Sequence, residues 1–342
     1  MTNVTGTRLL AAGTPAPALA ICLLAPPLTR ECGWTGAKDR ANIRPSLMVP
    51  HGEATPAMRL LGIAILASSV VTACRTPMST PNGDFASVSA GGRHTCALWI
   101  DGTVACWGFD EYGQATPPGD TFISIGAGSD HTCGVRTDGT VACWGFNVFG
   151  QATPPAGSFA LVDSGNAHSC GVKSDGTVAC WGDNSDGQAA PPGGSFSSDS
   201  VGNMHSCGLR SDGSIACWGF NVDGQATPPG GSFASVSAGG NHTCGVRSDG
   251  TVACWGANYL GQSTPPAGTF SSVSAGDYHT CGVRSDSTVL CWGDNSNGEA
   301  TPPAGTFASV SAGWAHTCGV MSDDIIVCWG KNNYGQSTPP AL

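Results

Sequence analysis

A 37-residue repeat, present seven times without insertion or deletion, constrains the fold of this chain most. Repeats of about 20–50 residues are typical of solenoids and propellers, because one such unit cannot bury its own apolar surface. Seven histidines and seven phenylalanines mark the register of the repeat: His94, His131, His168, His205, His242, His279 and His316, with Phe85, Phe122, Phe159, Phe196, Phe233, Phe270 and Phe307.

Each unit carries three short β-strand signals and no helical period. The segments "FASVSA", "HTCGVR" and "TVACWG", here called A, B and C, place β-branched residues at alternate positions, and Gly or Pro stands at every join. We therefore predict an all-β fold, a closed seven-bladed β-propeller of 37-residue, mostly three-stranded blades that spans 85–342. Closure of such a ring leaves no long sheet edge exposed.

Two cysteines flank a Ser-Asp-Gly tripeptide in "HTCGVRSDGTVACWG", 242–256. The tripeptide predicts a three-residue hairpin loop with Gly250 in the left-handed conformation. Counting outward pairs Cys244 with Cys254 on a non-hydrogen-bonded rung, where Cα atoms lie about 4.5 Å apart, at the short end of disulfide geometry. The same register pairs Cys96 with Cys106, Cys133 with Cys143, Cys170 with Cys180, Cys207 with Cys217, Cys281 with Cys291, and Cys318 with Cys328.

Disulfides compete with two other interpretations of these cysteines, reduced buried thiols and a metal site. The spacing H-x-C-x₉-C lacks the short C-x₂₋₄-C chelate of zinc sites, and cross-strand pairing would use the same thiols. We favour disulfides and predict no metal. The repeated Trp and Phe are expected in the core between blades, and the repeated His is expected to hydrogen-bond backbone at the start of strand B.

The segment that precedes the repeats has a different character. Its residues 58–74, "MRLLGIAILASSVVTAC", are too short for a membrane span and fit an export signal. The end of this stretch resembles the lipobox of bacterial lipoproteins, which implies that Cys74 is lipidated and begins the mature chain. We therefore predict a non-native or leader extension at 1–57, a lipoprotein signal peptide at 58–73 and a short linker at 74–84. A genuine long leader is the alternative.

Cysteine parity agrees with export. Beyond Cys74 the chain holds fourteen cysteines, all of them within the seven pairs. An even, fully paired set is typical of a protein that folds in an oxidising compartment.

The repeat "AGGNHTCGVRSDGTVACWGANYLGQSTPP" resembles those of the regulator of chromosome condensation superfamily, whose members are seven-bladed β-propellers. Its short unit, with the signature "WGxNxxGQ", is most similar to the propeller-type β-lactamase inhibitor proteins. The resemblance covers 85–340 and implies a protein partner engaged by loops. Members of the superfamily bind quite different partners, so the fold does not fix the function.

The antiparallel strand order places the A–B loop and the segment after strand C on one face of the ring. Positions that vary between repeats concentrate in these two segments, which contain all four tyrosines. Aromatic side chains on a rigid, weakly charged rim are typical anchors of protein interfaces. The alternative is that these rings pack on neighbouring loops and cap the blades. The candidate partner-binding residues are Phe109, Tyr112, Phe146, Phe149, Met204, Phe220, Tyr259, Tyr278, Trp314 and Tyr334.

Charge and motifs narrow the classes of function. Residues 74–342 hold 21 Asp plus Glu against 8 Lys plus Arg, which disfavours nucleic acid and anionic membranes, except through a lipid anchor. No nucleophile elbow, phosphate loop or asymmetric carboxylate pair is present, so we predict no enzyme and no cofactor.

We therefore expect an exported, membrane-anchored lipoprotein of the bacterial cell envelope. It would be a monomer that binds an unknown protein partner through the aromatic loops. The alternatives are a glycan-binding, lectin-like propeller and an inhibitor of a secreted enzyme such as a β-lactamase.

Overall fold

The computed structural model describes residues 85–340, which form seven three-stranded antiparallel sheets. Each sheet is one blade and uses three consecutive strands of the chain. The all-β, seven-bladed propeller predicted from the repeat is confirmed. The segments 1–57, 58–73 and 74–84, with Cys74, lie outside the described residues, as do residues 341–342. Within 85–340 no helix is long and apolar enough to cross a membrane.

The first strand of each blade is the innermost, and its C-terminal end lines the central cavity. The inner strands are β1 (Phe85–Ala90), β4 (Phe122–Ala127), β7 (Phe159–Ser164), β10 (Phe196–Val201), β13 (Phe233–Ala238), β16 (Phe270–Ala275) and β19 (Phe307–Ala312). The middle strands are β2 (His94–Trp99), β5 (His131–Arg136), β8 (His168–Lys173), β11 (His205–Arg210), β14 (His242–Arg247), β17 (His279–Arg284) and β20 (His316–Met321). The outer strands are β3 (Val104–Gly108), β6 (Val141–Gly145), β9 (Val178–Gly182), β12 (Ile215–Gly219), β15 (Val252–Gly256), β18 (Val289–Gly293) and β21 (Ile326–Gly330).

The middle and outer strands form the hairpin that the Ser-Asp-Gly tripeptide predicts. The backbone N–H of Arg247 donates to the carbonyl of Thr251 at 2.7 Å across a three-residue loop. Gly250 closes this loop with φ of +85°, which glycine adopts without steric cost. In the last two blades Ser287 and Asp324 take the same position with φ of 67° and 65°, a conformation that is uncommon outside glycine.

Seven disulfides join the middle strand to the outer strand, one in each blade. The two cysteines of each bridge are directly paired in the sheet, with Cα atoms 4.0 Å apart. This is the pairing predicted from the sequence. The middle-strand cysteine of every bridge is fully buried. Seven such bridges are typical of a chain that folds in an oxidising compartment.

The hydrophobic core lies between adjacent blades. Val88 of the first inner strand packs against Cys318, Val320 and Ile326 of the seventh blade, and equivalent clusters fill other seams. The repeated Phe and Trp contact each other and also pack on the preceding blade, as Phe159 and Trp181 do on Cys133 and Val135. The predicted location of these rings between blades is therefore confirmed.

Every seam between neighbouring blades also carries the same three hydrogen bonds. At the first seam, Thr132 Oγ1 donates to the carbonyl of Gln114 at 3.0 Å, and Trp144 Nε1 donates to the same carbonyl at 2.9 Å. His94 Nε2 lies 2.7 Å from Thr132 Oγ1. Because the only hydroxyl proton of Thr132 is used on the carbonyl, His94 must carry its proton on Nε2 and donate to the hydroxyl.

The predicted role of the repeated histidines is therefore wrong in one respect. They bond a side-chain hydroxyl of the next blade, and not the backbone at the start of their own strand. In all seven blades the ring is fully buried, and Nδ1 has no hydrogen-bond partner among the described residues.

The ring closes by repeating these bonds once more. His316 Nε2 lies 2.8 Å from Thr95 Oγ1, Thr95 donates to the carbonyl of Gln336 at 2.9 Å, and Trp107 Nε1 donates to that carbonyl at 2.8 Å. No strand is exchanged between the first and the last blade. The seam between blades seven and one is thus chemically the same as the other six.

One blade departs from the repeat in the core. Asp199 occupies the inner-strand position that Val88 holds in the first blade. Its Oδ2 is buried and has no hydrogen-bond partner among residues 85–340. Burial, reinforced by the charge of Asp163, raises the pKa of Asp199 to about 7.

We expect Asp199→Val to stabilise the protein. A carboxyl whose pKa rises from 3.8 to about 7 on folding destabilises the folded state by about 4 kcal/mol once the pH exceeds 7, and by progressively less as the pH falls toward 3.8. The gain in the free energy of unfolding, measured by urea denaturation, should therefore be larger at about pH 8 than at about pH 5.5. Asp199→Asn is the matched control, because it keeps the shape of the side chain and removes the ionisable group. An equal urea midpoint for Asp199→Val and the parent at the higher pH would contradict this account.

Candidate functional site

Two segments of every blade form one continuous face, here called the loop face. In each blade the backbone N–H that follows the outer strand donates to the carbonyl that precedes the repeated His, as Phe109 does to Arg93 at 2.9 Å. The shared face predicted from the antiparallel order is therefore present. It consists of the A–B loops 91–93, 128–130, 165–167, 202–204, 239–241, 276–278 and 313–315, and of segments 109–112, 146–149, 183–186, 220–223, 257–260, 294–297 and 331–334.

Side-chain hydrogen bonds hold the segments after the outer strands in place. In the second blade Asn147 Oδ1 accepts from the N–H of Ala152, and Asn147 Nδ2 donates to Thr153 Oγ1, both at 2.9 Å. The N–H of Phe149 donates to Oε1 of Gln151, a fully buried side chain. Bonds of this kind fix a loop on its own backbone. The variable side chains therefore project from a rigid platform.

Four of the ten candidate residues form one aromatic cluster across blades seven, one and two. The ring of Phe109 lies 5.0 Å from that of Tyr334 and 6.1 Å from that of Tyr112. Tyr112 in turn lies 4.9 Å from Phe146. Phe109 and Phe146 are half-buried, whereas the two tyrosines are exposed. The cluster therefore combines half-buried rings, which cap neighbouring loops, with exposed rings.

Arg93, which the sequence did not single out, joins this cluster. Its guanidinium carbon lies 4.1 Å from the ring centre of Phe109 and 5.7 Å from that of Tyr334. The same guanidinium forms an ion pair with Asp130 of the next blade at 2.8 Å. The available signal was its position before the repeated His, where neighbouring units differ.

The other six candidate residues lie apart from the cluster. Phe149 is exposed in the second blade, and Met204 and Phe220 are half-buried in the fourth. The hydroxyl of Tyr259, a residue that is 75% exposed, donates to the carboxylate of Asp223 in the preceding blade. The remaining two, Tyr278 and Trp314, are exposed in A–B loops.

The mouth of the central cavity on the loop face is bridged by polar side chains. Asn203 Nδ2 donates to Asp277 Oδ1 at 2.5 Å, although these residues are two repeats apart in the chain. Gly240 lies between them, and a Cβ atom there would collide with the Asp277 carboxylate. Burial raises the pKa of Asp277 to about 6, against hydrogen bonds from Asn203 and Trp314 that lower it.

The cavity itself has a volume of about 550 Å³ and is lined by the Ser, Ala and Gly residues that end the inner strands. Asp163 is the inner-strand carboxylate on its wall, and its two oxygens accept the backbone N–H groups of Val201 and Ser164. Within residues 85–340 no three His, Cys, Asp or Glu side chains are placed to hold a metal ion. The side chains that differ from blade to blade in residues 85–340 therefore lie mainly on the loop face.

A closed ring of seven blades, each with one internal disulfide, and one variable face define this chain as a β-propeller scaffold. Its repeat is a known one, since seven segments match the regulator of chromosome condensation (RCC1) repeat: 85–114, 122–151, 159–188, 200–225, 233–262, 270–299 and 307–336. The chain belongs to this repeat family. No curated protein matches it.

Solved structures with the same fold include two plant receptor kinases. The CRINKLY WD40 ectodomain of ACR4 from Arabidopsis thaliana is 28% identical, with a TM-score of 0.63 over 75% of this chain and 99% of that one. The entire ectodomain of CR4 from Physcomitrella patens is 29% identical, with a TM-score of 0.63 over 73% and 75%. Prp20p of Saccharomyces cerevisiae, described with its binding to Gsp1p and histones, is similar in fold at 17% identity and a TM-score of 0.51 over 75% and 74%.

Proposed function

We propose that this chain is an exported, lipid-anchored propeller that binds a protein partner through its loop face and performs no catalysis. The observation that carries this proposal is the aromatic cluster of Phe109, Tyr112, Phe146 and Tyr334. Two of its four rings are exposed on a platform whose backbone is already fixed. Exposed Tyr side chains held in this way lose little conformational entropy on binding, which makes them effective anchors of protein interfaces.

The uneven distribution of these rings favours a protein partner over a repeating glycan. Blades seven, one and two contribute the cluster, whereas the equivalent segments of blades three and six are "DNSD" and "DNSN" and carry no aromatic residue. A glycan that repeats around the ring would favour similar sets in several blades. A single asymmetric surface instead fits one partner that covers part of the ring.

Export and anchoring rest on separate grounds. Seven buried disulfides support an oxidising compartment. The two plant receptor kinases, which resemble this chain at 28% and 29% identity, carry their propellers in ectodomains. The lipobox-like end of segment 58–74 supports lipidation of Cys74. The absence of a nucleophile elbow or phosphate loop in the sequence supports a role in binding.

The test is a pull-down with the full chain from an extract of the cells that produce it. The aromatic-face variant combines Tyr112→Ala and Tyr334→Ala, the two exposed rings of the cluster. We expect the parent to capture a defined protein and the variant to capture at least about tenfold less, because truncating a Tyr that serves as an interface hot spot costs about 2 kcal/mol or more.

A matched control removes exposed apolar side chains from the opposite face, where the hairpin turns lie. It combines Ile100→Ala, Ile123→Ala and Ile325→Ala, and we expect it to bind as the parent does. Equal capture by the parent and both variants, or capture of polysaccharide alone, would refute binding through the aromatic cluster.

A further inference from the structure

The aromatic cluster lies on an acidic loop face, whereas the sequence predicted a weakly charged rim. Eight carboxylates and two basic side chains lie on the loop-face segments, and one of the carboxylates is already paired with Arg93. The carboxylates belong to Asp110, Glu111, Asp130, Asp183, Asp186, Asp223, Asp277 and Asp294, and the basic residues are Arg93 and Lys331.

Exposed tyrosines and carboxylates are neighbours on this face. Tyr259 donates its hydroxyl to Asp223, which raises the pKa of Tyr259. Tyr112 directly follows Glu111, an exposed residue without an ion-pair partner within 85–340. A ring face beside a carboxylate attracts Lys and Arg, since the ring quadrupole and the carboxylate both favour a cation.

The two basic residues of the loop face already contact aromatic rings, and one of them also contacts a carboxylate. Arg93 stacks on Phe109 at 4.1 Å while pairing with Asp130, and Lys331 Nζ lies 5.1 Å from the ring centre of Trp314. Each basic side chain of this face therefore lies over an aromatic ring, and Arg93 also pairs with a carboxylate. The exposed rings of Tyr112 and Tyr259 have no such cation in the described residues.

We infer that the partner of the loop face is a protein segment rich in Lys and Arg, whose apolar side chains rest on the aromatic cluster while its cations meet Glu111 beside that cluster and Asp223 beside Tyr259, on the fourth blade. This inference rests on the proposed function and adds the chemistry of the partner. Charge complementarity selects this occupant, because an acidic or neutral segment would leave the loop-face carboxylates uncompensated. The same charges would accelerate encounter with a basic segment at low ionic strength.

The experiment selects a display library of random short peptides on the immobilised full chain. Enriched peptides are then measured against the parent and against Glu111→Gln with Asp223→Asn. The matched control is Asp120→Asn with Asp323→Asn, two exposed carboxylates on the opposite face; Asp120 pairs with Arg136, and Asp323 lies in the hairpin loop of the last blade. We expect enriched peptides to be strongly basic and to bind the loop-face variant at least about tenfold more weakly, with the parent affinity falling as salt rises from about 50 to about 300 mM.

Three outcomes separate this inference from the proposed function. Basic peptides that depend on Glu111 and Asp223 support both. Neutral or acidic peptides that lose binding in the aromatic-face variant overturn the basic partner and leave binding through the cluster intact. Peptides that bind the parent and the aromatic-face variant equally, or failure to enrich any peptide, overturn the inference, and the pull-down then decides the proposed function separately.

Discussion

Reduction of the seven disulfides is expected to unfold the propeller at room temperature. Each bridge joins two cysteines that are ten residues apart. By lowering the conformational entropy of the unfolded chain, it stabilises the folded state by about 2–3 kcal/mol. Seven bridges together contribute on the order of 15 kcal/mol, which equals or exceeds the whole stability of a typical domain. Circular dichroism and intrinsic tryptophan fluorescence in excess reductant, with a count of free thiols, would follow the transition.

A single bridge provides the control for this prediction. Removing Cys244 and Cys254 together by substitution to Ala should lower the free energy of unfolding by about 2–5 kcal/mol and leave the ring folded. The cumulative account would be wrong if the fully reduced chain, with all its thiols titrated, kept the melting temperature of the oxidised protein.

Mild acid should also unfold the protein, through the seven buried histidines. Burial lowers the pKa of each, to about 4 for His94 and to about 3 for His131, because a proton added at Nδ1 would find no acceptor. The unfolded state therefore binds more protons than the folded state between about pH 3 and pH 6.5, and stability is lost as the pH falls through that window. At pH 5 the loss is about 2 kcal/mol for each histidine and on the order of 14 kcal/mol for seven.

Urea denaturation across pH 5 to 7.5 would measure this dependence, since its slope reports the protons taken up on unfolding. Asp163, Asp199 and Asp277 act in the opposite direction, because burial raises their pKa values, but they are three groups against seven. In His242→Gln one titrating group is removed, so the slope should fall by about one proton whatever the change in absolute stability. A free energy of unfolding that stays constant across this range would refute the role assigned to the histidines.

The repeat predicted the fold almost completely, because its constraints are local. Strand signals, the Gly250 hairpin and the Cys244–Cys254 register all lie within one 37-residue unit, and the structure agrees with each. The role of the histidines was different. His94 and its hydroxyl partner Thr132 are 38 residues apart in the chain, so the bond depends on the offset between blades, which a single unit does not contain.

The sequence predicted which face of the ring carries the candidate residues, but not which of their side chains contact each other. The antiparallel order placed all ten candidates on the same side of the ring, yet it could not bring Tyr334 next to Phe109, whose blades meet only on closure. Arg93 was missed for the same reason, since its partners Phe109, Asp130 and Tyr334 come from three blades. Contacts between blades require the packed ring, and sequence spacing alone does not define them.

The local nature of the bridges has a consequence for how the chain reaches this state. None of the fourteen cysteines needs a partner from another blade, so each hairpin can be oxidised without a search along the chain. Only the seam between the first and last blades joins residues as far apart as 221 and 241 positions. The entropic cost of a long loop therefore falls on one late encounter. Folding divides into seven short-range events that can follow the order of synthesis, and one closing event that must wait for the final repeat.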